Sequence, residues 1–428
     1  MSQSDEADAA CEKELSRIGS TGKAVYGSCR PIFVSTYPPE QCGLATFTCD
    51  LADAVDEAAG GPVSGVYAIQ KTESLLLYDG RVVDAISNER EGAYLNAAAA
   101  ANSSDFDLVS IQHEYGLYAG DWGENILDFA ENVDKPVVTT LHTLCPDPQP
   151  KARHIVERLV RKSKCVVVMA ELGRQLLKER YGVPTDHVVM IPHGVPQVHF
   201  SHRALLKRRL GLQGKTVIST FGLINPGKGL EYAIEALPEV LDRHPDTIYL
   251  IAGRTHPAVK AHSGESYREG LKALAEKLGV KSSLVFIDRY MKLEELLCCI
   301  QASDVYVTPY VGRDQVTSGT LAYAMACGKA IVSTPYLYAE EALGEGRGLF
   351  AEFRDSSSIA DGILKVLERP TLKEELEFRT YRYAQEMVWP VVGKRYLSVF
   401  SLVANGHSAK SELSRAAASL SALQKETA

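Results

Sequence analysis

The segment 315–328, QVTSGTLAYAMACG, has the residue types of an anion-binding turn. Two apolar runs flank it, and its small-residue loop opens a short predicted helix that ends at a glycine. Ser or Thr is favoured at the start of a helix, and Gly just past its end. Because the first N–H groups of a helix are free and lie at the positive end of its dipole, Ser318, Gly319 and Thr320 are predicted to bind phosphate. An ordinary strand-to-helix turn is the alternative.

A second glycine-rich segment, FGLINPGKGLEY, contains a lysine after a predicted strand. Gly222 and Lys228 fit the phosphate loop of nucleoside triphosphatases, but Gly229 replaces the Ser or Thr whose hydroxyl binds magnesium there. The segment therefore favours a lysine that neutralises a diphosphate. Arg254, after the next strand, is a candidate for a further positive charge, and Gly43 in YPPEQCG would let a ligand approach the backbone.

Two other predicted strands end in polar side chains. His142 ends VVTTLH and is predicted to be an active-site residue, because ligands of parallel sheets lie beyond the carboxyl ends of the strands. His113 and Glu114 end another strand, Tyr115 follows them, and all three are predicted to contact an acceptor through hydrogen bonds to its hydroxyls and through stacking. For His113, a buried core histidine has equal weight. His193, in IPHG, is interpreted as a turn residue.

The sequence gives no indication of a metal or of a tightly bound cofactor. The acidic segment DFD at 105–107 precedes a strand, so it is predicted to lie at the wrong edge of the sheet for a ligand. Nine cysteines without a CxxC pair argue against a zinc site or a disulfide framework. A reducing, cytoplasmic location is expected.

Charge and hydropathy exclude several classes of protein. The net charge of −8 argues against a general nucleic-acid binder. No apolar run reaches 18 residues, and the polar N-terminus does not resemble a signal peptide. The basic stretch 151–164 is a candidate for weak peripheral contact with an anionic membrane, with a solvated helix face as the more favoured alternative.

Short apolar runs alternate with amphipathic helical patterns along the whole chain. This alternation predicts an α/β protein with two doubly wound parallel sheets, each covered by helices on both faces. The predicted strands are 32–36, 108–113, 137–142, 165–170, 188–192, 217–221, 248–252, 284–287, 305–308 and 330–333. The predicted divisions are a polar arm at 1–28, a first domain at 29–200, a second domain at 201–385, a helix at 386–405 that packs back on the first domain, and a tail at 406–428.

Taken together and in order, these motifs resemble the retaining glycosyltransferases of family 4, over residues 31 to 405. YPPEQCGLATF is similar to the family's first glycine loop, and VVTTLHT to its strand that ends in the active-site histidine. IPHGV is similar to the family's IPNGV, NPGKGLEYAIEAL to PEKGxxxLIEA, and AYAMACGKAIVSTP to LEAMACGKPVVAT. The resemblance implies the two-domain Rossmann-like architecture called GT-B.

The resemblance also implies an activity: transfer of a hexose from a nucleotide diphosphate sugar to a hydroxyl of a glycan, glycolipid or small molecule, with retained anomeric configuration. It assigns the active-site role to His142 and the diphosphate to Lys228, with no metal required. The chain departs from the family where a pair of glutamates would fall at Gln315 and Tyr323, and where an arginine would fall at Leu223. Gln315 and Tyr323 are still expected to contact the donor through hydrogen bonds or stacking.

Two other classes of function stay open at this point. A disaccharide phosphorylase or a sugar-nucleotide epimerase shares the architecture, and the loss of both glutamates gives that alternative weight. A non-catalytic homologue that binds a sugar or a nucleotide is the other possibility, and the retained Lys228, His142 and glycine loops argue against it.

Overall fold

The computed structural model describes residues 29–71 and 76–406. The predicted arm at 1–28 and the tail beyond Gly406 lie outside the described residues. Within the described part, the chain forms two parallel β-sheets with helices on their faces. None of the helices in this part is long and apolar enough to cross a membrane.

The first sheet has seven strands in the order β3-β2-β1-β4-β5-β6-β7, and each neighbouring pair is parallel. Its strands are β1 (Pro31–Ser35), β2 (Gly65–Gln70), β3 (Val82–Ser87), β4 (Leu108–His113), β5 (Val137–Leu141), β6 (Cys165–Val168) and β7 (Val188–Met190). Its helices are α1 (Gly43–Ala59), α2 (Ala93–Asn102), α3 (Ile126–Asn132), α4 (Pro150–Lys162) and α5 (Glu171–Glu179).

The second sheet has six parallel strands in the order β10-β9-β8-β11-β12-β13. Its strands are β8 (Thr216–Phe221), β9 (Thr247–Ala252), β10 (Leu284–Ile287), β11 (Val305–Thr308), β12 (Ile331–Ser333) and β13 (Leu349–Phe350). The helices around it are α6 (Arg203–Arg209), α7 (Leu230–Glu235), α8 (Leu237–Arg243), α9 (Pro257–Ser263), α10 (Ser266–Lys277), α11 (Leu293–Ala302), α12 (Gly319–Ala326), α13 (Leu337–Ala342), α14 (Ser356–Glu368) and α15 (Pro370–Ala384). The last described helix is α16 (Trp389–Ala404).

The central strands are mostly apolar because both faces of each sheet are covered. Every residue of β1 and of β5 is buried, and apolar clusters lie on both sides of the first sheet. Strands buried on both faces cannot alternate between apolar and polar residues, which is why continuous apolar runs predicted them. The predicted pair of doubly wound parallel sheets is confirmed.

The last helix returns to the first sheet. α16 packs against α1, and the Phe400 ring lies 5.9 Å from that of Phe33 in β1. Gly393 makes the approach close, because a Cβ there would lie 2.4 Å from the carbonyl oxygen of Ala54. The chain thus crosses from the second sheet back to the first beside Trp389.

Some elements differ from the sequence-based predictions. β2, β3 and β13 were not predicted, and β3 and β13 are partly exposed strands that lack a continuous apolar run. The amphipathic stretch 230–243, whose apolar residues recur at helical spacing, forms two helices, α7 and α8, which meet at Ala236. Pro238 in the first turn of α8 explains the break, since proline has no N–H and its ring clashes with the preceding turn.

Both sheets reverse their winding at one point, and the two points define where a ligand is expected. β1 and β4 are neighbours in the first sheet, as are β8 and β11 in the second. Each of these pairs has its helical connections on opposite sides, so a crevice opens at the carboxyl ends of the two strands. The segments that follow β1, β4, β8 and β11 therefore position the site.

Candidate active site

A cleft of about 570 Å³ lies between the two sheets, at the carboxyl ends of these strands. Two of the predicted site residues, His113 and Tyr115, are absent from its walls. The others line it: Gly43, Glu114, His142, Gly222, Lys228, Arg254, Gln315, Ser318, Gly319, Thr320 and Tyr323. Residues that lie far apart in the sequence are thus brought into one cavity.

Lys228 lies in the short 3-10 turn Pro226–Lys228 that follows β8. Its side chain is buried, and its Nζ donates a hydrogen bond to the hydroxyl of Tyr310 over 3.0 Å. Gly222 has φ +117, and a Cβ there would lie 3.2 Å from Nζ and 2.9 Å from Cγ2 of Thr320. Only a glycine at position 222 leaves room for the Lys228 ammonium beside Thr320 of the segment 315–328.

The N-terminus of α12 opens into the same cleft. Ser318 is the N-cap, and its Oγ accepts a hydrogen bond from the N–H of Leu321 at 3.3 Å. The N–H groups of the preceding positions have no partner within the helix, because an α-helix leaves its first N–H groups unsatisfied. With Lys228 beside them, these groups form a site for an anion.

Gln315 and Tyr323 also face the cleft. The Gln315 amide donates to the carbonyl of Thr317 over 2.8 Å, which leaves its own carbonyl oxygen as an acceptor. The Tyr323 ring lies 6.2 Å from Phe221 and 6.5 Å from His193. Burial raises the pKa of Tyr323, so its hydroxyl stays protonated. An aromatic wall with a neutral hydroxyl thus stands where a glutamate was expected.

Arg254 reaches across the cleft to the loop that precedes α1. Its Nη1 donates to Oε1 of Gln41 over 2.7 Å, and Nη2 to the Gln41 carbonyl over 3.2 Å. The guanidinium also lies 5.7 Å from the ring of Tyr290. Its predicted contact with the diphosphate stays a prediction, and its contacts within the protein join the two domains.

His142 follows β5 and is held by neighbouring side chains. Its Nε2 lies 2.9 Å from the Gln112 Oε1, and because that oxygen only accepts, Nε2 carries the proton and Nδ1 is left as an acceptor. The Phe47 ring packs edge-on at 4.7 Å. Burial, together with the neighbouring His193 and His113, lowers the pKa of His142 to about 3. The imidazole is therefore neutral at physiological pH.

The acceptor-side prediction needs a correction at His113 and Tyr115. His113 is fully buried with both ring nitrogens unpaired, and burial lowers its pKa to about 4. The Tyr115 hydroxyl lies 3.1 Å from that of Tyr181, inside the first domain. Both side chains fill the core behind the cleft, as residues at a buried strand end do when their side chains point into the helix layer.

Glu114 alone of this group lines the cleft. Its Oε2 accepts from the Thr143 hydroxyl at 2.5 Å, and its Oε1 from the N–H of Tyr115 at 3.1 Å. Burial raises the pKa of Glu114, although these hydrogen bonds and the nearby Lys71 oppose the effect. It is the one carboxylate among the described residues of the lining, against four cationic side chains: Lys228, Arg254, Arg289 and Lys292. The cleft therefore favours an anionic ligand.

His193 is a site residue that the sequence analysis missed, because it was interpreted as a turn residue. Its Nδ1 donates to the carbonyl of Gly194 over 2.7 Å, so Nε2 is an acceptor. A Cβ on Gly319 would lie 2.9 Å from that Nε2, which places the imidazole at the N-terminus of α12. Burial lowers the pKa of His193 to about 4. Tyr310 was missed as well, and no local signal marked it.

No group of three or more His, Cys, Asp or Glu side chains is arranged to hold a metal ion within residues 29–71 and 76–406. The acidic segment at 105–107 lies away from the cleft, and the Asp107 carboxylate accepts from the backbone N–H of Arg30 at 2.7 Å. This is the turn role that its position before β4 predicted.

The basic stretch of α4 pairs with acidic side chains of its own domain. The Lys151 Nζ lies 2.7 Å from Glu124 and 3.3 Å from Asp121, and Arg158 lies 2.6 Å from Glu131. These pairs reduce the positive charge available to an anionic surface, so the structure adds no support for peripheral membrane contact.

Comparisons with known proteins identify the family of the chain. Residues 203–387 match the family model "Glycosyl transferases group 1", and residues 87–197 match "Glycosyltransferase Family 4". A phosphatidyl-myo-inositol mannosyltransferase of Mycobacterium tuberculosis is 27% identical over 72% of this chain and 76% of its own. A D-inositol 3-phosphate glycosyltransferase of Corynebacterium jeikeium is 29% identical over 65% of this chain and 67% of its own.

Solved structures show the same fold. Anabaena HepE in complex with UDP has a TM-score of 0.69 at 16% identity, over 87% of this chain and 99% of its own. A trehalose-phosphate synthase from Burkholderia xenovorans has a TM-score of 0.65 at 15% identity, over 88% and 99%. The fold is therefore the GT-B architecture, and the two family models over residues 87–197 and 203–387 make the chain a glycosyltransferase. The chain belongs to the family 4-like glycosyltransferases.

Proposed function

We propose that this glycosyltransferase moves a hexose from a nucleotide diphosphate sugar to a hydroxyl of a carbohydrate, glycolipid or polyol, with retained anomeric configuration. The observation that carries the proposal is the anion site made by Lys228 and the N-terminus of α12 at one side of a cleft whose other side holds His142 and Glu114. The proposal assigns the donor to the second domain and the acceptor to the first.

The chemical difficulty in such a transfer is the negative charge that builds on the leaving diphosphate. Donors already aimed at that charge stabilise the transition state without reorganising, and removal of one typically lowers kcat by about 10²–10³-fold. Lys228 supplies a charged donor, and the first N–H groups of α12 supply neutral ones. Gly43 allows close approach from the first domain, since no atom lies within 4 Å of the position of a Cβ there.

The protonation states of the two histidines support retention. An inverting transfer needs a base that removes the acceptor's proton, and a base works best when its pKa lies near the working pH. The pKa values of His142 and His193, about 3 and about 4, make both weak bases. In a retaining transfer the departing phosphate oxygen takes that proton, while the Nδ1 of His142 accepts a hydrogen bond from a sugar hydroxyl.

Glu114 is the residue that distinguishes this mechanism from an inverting one. In the retaining mechanism its carboxylate orients the acceptor, so Glu114→Gln should lower kcat/KM for the acceptor about tenfold, the effect of one lost hydrogen bond to a charged group. If Glu114 were instead the base, the same change would lower kcat by about 10²–10⁴-fold, the usual contribution of a general base. Aspartate at 107, far from the cleft, gives the matched control Asp107→Asn, which should not change the acceptor kinetics.

Lys228, Arg254 and the helix end supply the positive potential that a metal would provide, so we propose that the transfer needs no divalent ion. Full activity in excess chelator is expected. Activity that is lost with chelator and restored only by a divalent cation would contradict this part of the proposal.

The experiment that tests the function starts with ligand-dependent stabilisation. A ligand that binds only the folded state raises the melting temperature, so uridine, guanosine and adenosine diphosphates and their hexose conjugates are screened first. The donor that binds is then incubated with a panel of sugars, polyols and glycolipids, and the product's anomeric configuration is read by proton NMR. Phosphate-dependent disaccharide breakdown or epimerised donor would favour the alternative enzymes, and binding without turnover a non-catalytic homologue.

A further inference from the structure

The hydroxyl of Tyr310 is the point where the two halves of the anion site meet. Tyr310 follows β11 and lines the cleft. Its Oη accepts a hydrogen bond from the Nζ of Lys228 at 3.0 Å and lies 2.9 Å from the Oγ1 of Thr320, in the first turn of α12. One oxygen atom therefore connects the segment after β8 with the N-terminus of α12.

Tyr310 is itself held in place from two sides. Its ring stacks on that of Tyr336 with the centroids 4.8 Å apart and the planes 19° from parallel. Its carbonyl accepts a hydrogen bond from the Thr334 hydroxyl at 2.8 Å. The side chain is 5% exposed, so the hydroxyl cannot turn away from the ammonium without disturbing the core.

No carboxylate of the described residues pairs with the ammonium of Lys228. Its hydrogen-bond acceptor is the Tyr310 hydroxyl, and none of the ion pairs among the described residues includes Lys228. Nζ also lies 4.8 Å from the centre of the Tyr310 ring, where the π-electrons favour a cation. A neutral partner orients the ammonium but leaves its charge for a ligand, whereas a carboxylate at the same place would compete with phosphate.

One of these hydrogen bonds has a fixed direction. An ammonium donates but does not accept, so the Tyr310 oxygen accepts from Lys228. The hydroxyls of Thr320 and Ser318 lie 3.2 Å apart, and in this pair, as in the pair of Tyr310 and Thr320, either oxygen can be the donor. A hydrogen-bonded chain along the floor of the cleft thus connects Lys228, Tyr310, Thr320 and Ser318.

We propose that Tyr310 is a positioning residue, which holds the Lys228 ammonium at the N-terminus of α12 where the donor's diphosphate binds. This inference rests on the proposed function and adds to it how the lysine is aimed. Tyr310 acts through Lys228, so its contribution should disappear when the ammonium is absent.

A double-mutant cycle tests this coupling directly. UDP, GDP and ADP are titrated calorimetrically into the wild type, Tyr310→Phe, Lys228→Met and the double variant. In the wild-type background, Tyr310→Phe should weaken binding of the recognised nucleoside diphosphate about tenfold, as expected for the loss of a hydrogen bond to a charged group. In the Lys228→Met background, the same change should weaken it less than twofold.

Tyr249→Phe is the matched control for loss of a buried phenol. Its hydroxyl lies 2.8 Å from the Oγ1 of Thr220 within the second sheet, away from the cleft, so diphosphate binding should stay within twofold of wild type. Equal losses from Tyr310→Phe in both backgrounds, or no loss in the wild-type background, would overturn the proposal. If the wild type bound none of the three diphosphates, the proposed function would fail and this inference with it.

The loss of diphosphate affinity at alkaline pH gives a second test. A purely structural role of Tyr310 would not change the pH at which this loss occurs. Burial alone would raise the pKa of Tyr310, but Lys228 and the hydrogen bonds of Thr320 and Ser318 hold it below the usual value. The other titratable groups near this phenol are those of Tyr306 and Tyr336. A phenolate at 310 would cancel the charge of Lys228, so binding should begin to weaken at a lower alkaline pH in the wild type than in Tyr310→Phe. The same alkaline loss in both proteins would contradict the coupling.

Discussion

Replacement of Lys228 by methionine separates the role of this ammonium in catalysis from its role in folding. Methionine has a similar length and no charge, so the cavity beside Gly222 stays filled. The Lys228 side chain is 8% exposed, and its Nζ donates a hydrogen bond to the neutral hydroxyl of Tyr310. Its charge is therefore uncompensated by the described part of the protein and available to the leaving diphosphate.

The size of the effect follows from this geometry. Loss of one preorganised donor to a developing oxyanion costs about 2.7–4 kcal/mol of transition-state stabilisation, which is about 10²–10³ in kcat. Folding should respond in the opposite direction, because a buried ammonium without a counter-ion disfavours the folded state. We expect kcat/KM for the donor to fall at least a hundredfold, with a melting temperature that is unchanged or higher.

The assay is steady-state turnover with the donor found by ligand screening, together with thermal unfolding of the same samples. Lys329→Met is the matched control: Lys329 is also buried, but its Nζ donates to the carbonyls of Gln301 and Ser303, at the amino end of β12 and away from the cleft. That variant should lose about 1–3 kcal/mol of stability, because two carbonyls lose their donor, and keep its turnover per folded molecule. A Lys228→Met protein with wild-type kcat/KM, or with the stability loss of the control, would refute the reasoning.

For three further substitutions, the structure predicts whether stability or donor binding rises or falls. Gly222→Ala places a Cβ 2.9 Å from a threonine methyl at φ +117, so stability should fall by about 1–3 kcal/mol and the donor KM should rise, as measured by unfolding and kinetics. Gly214→Ala, with φ +72 and no atom within 4 Å, should share the backbone cost and keep the wild-type KM; a normal KM in both would contradict the steric argument. Glu341 accepts from two N–H groups at the start of α5, at 2.7 and 2.9 Å, so Glu341→Ala should lower the free energy of unfolding by about 1–3 kcal/mol. The control Glu340→Ala removes an exposed ion pair and should cost less than about 1 kcal/mol. Equal losses from Glu341→Ala and Glu340→Ala would contradict the role of Glu341 in capping α5 from the second domain. The folded-state pKa of His113, about 4, lies below its unfolded value, so this residue's contribution to stability is complete above about pH 6.5 and is lost as the pH falls toward 4. His113→Phe should reduce the acid sensitivity of urea unfolding by up to about 1.4 kcal/mol per pH unit, and an unchanged slope would show that His113 does not titrate in this way.

The fold could be predicted because its strands carry a strong and simple signal. β5 and β11 are runs of apolar and β-branched residues that are buried on both faces, and amphipathic helices separate such runs. The signal fails for β3 and β13, since a partly exposed strand needs fewer apolar residues. Propensity did not reveal the break between α7 and α8 either, although Pro238 was visible in the sequence.

Much of the cleft could be anticipated because parallel strands all present their carboxyl ends at one edge. This rule pointed to His142, the phosphate-binding character of two strand-to-helix turns pointed to Lys228 and Ser318, and the structure brings all three to one cavity. The rule does not say where a side chain points. His113 and His142 both end strands of the first sheet, yet His113 points into the core and His142 into the cleft.

The residues that the sequence did not reveal are those whose role depends on long-range contacts. Tyr310 lies 82 residues from Lys228, and the sequence shows only that a tyrosine ends an apolar run. His193 lies between Phe47 of α1 in the first domain and Gly319 of α12 in the second. Local patterns indicate a turn at IPHG, and only the packing of the two domains makes it a wall of the cleft.

The anomeric configuration of the product tests the central claim most directly. The assay uses the nucleotide hexose that stabilises the protein and an acceptor that the protein consumes, and proton NMR of the newly formed glycoside reports the configuration of its anomeric carbon. A nucleotide donor with an α-linked hexose should give an α-glycoside, with the nucleoside diphosphate released in equal amount and in the presence of excess chelator. A β-glycoside from the same donor would contradict the account, because inversion requires a protein base; His142 and His193 are weak bases, so that role would fall to Glu114.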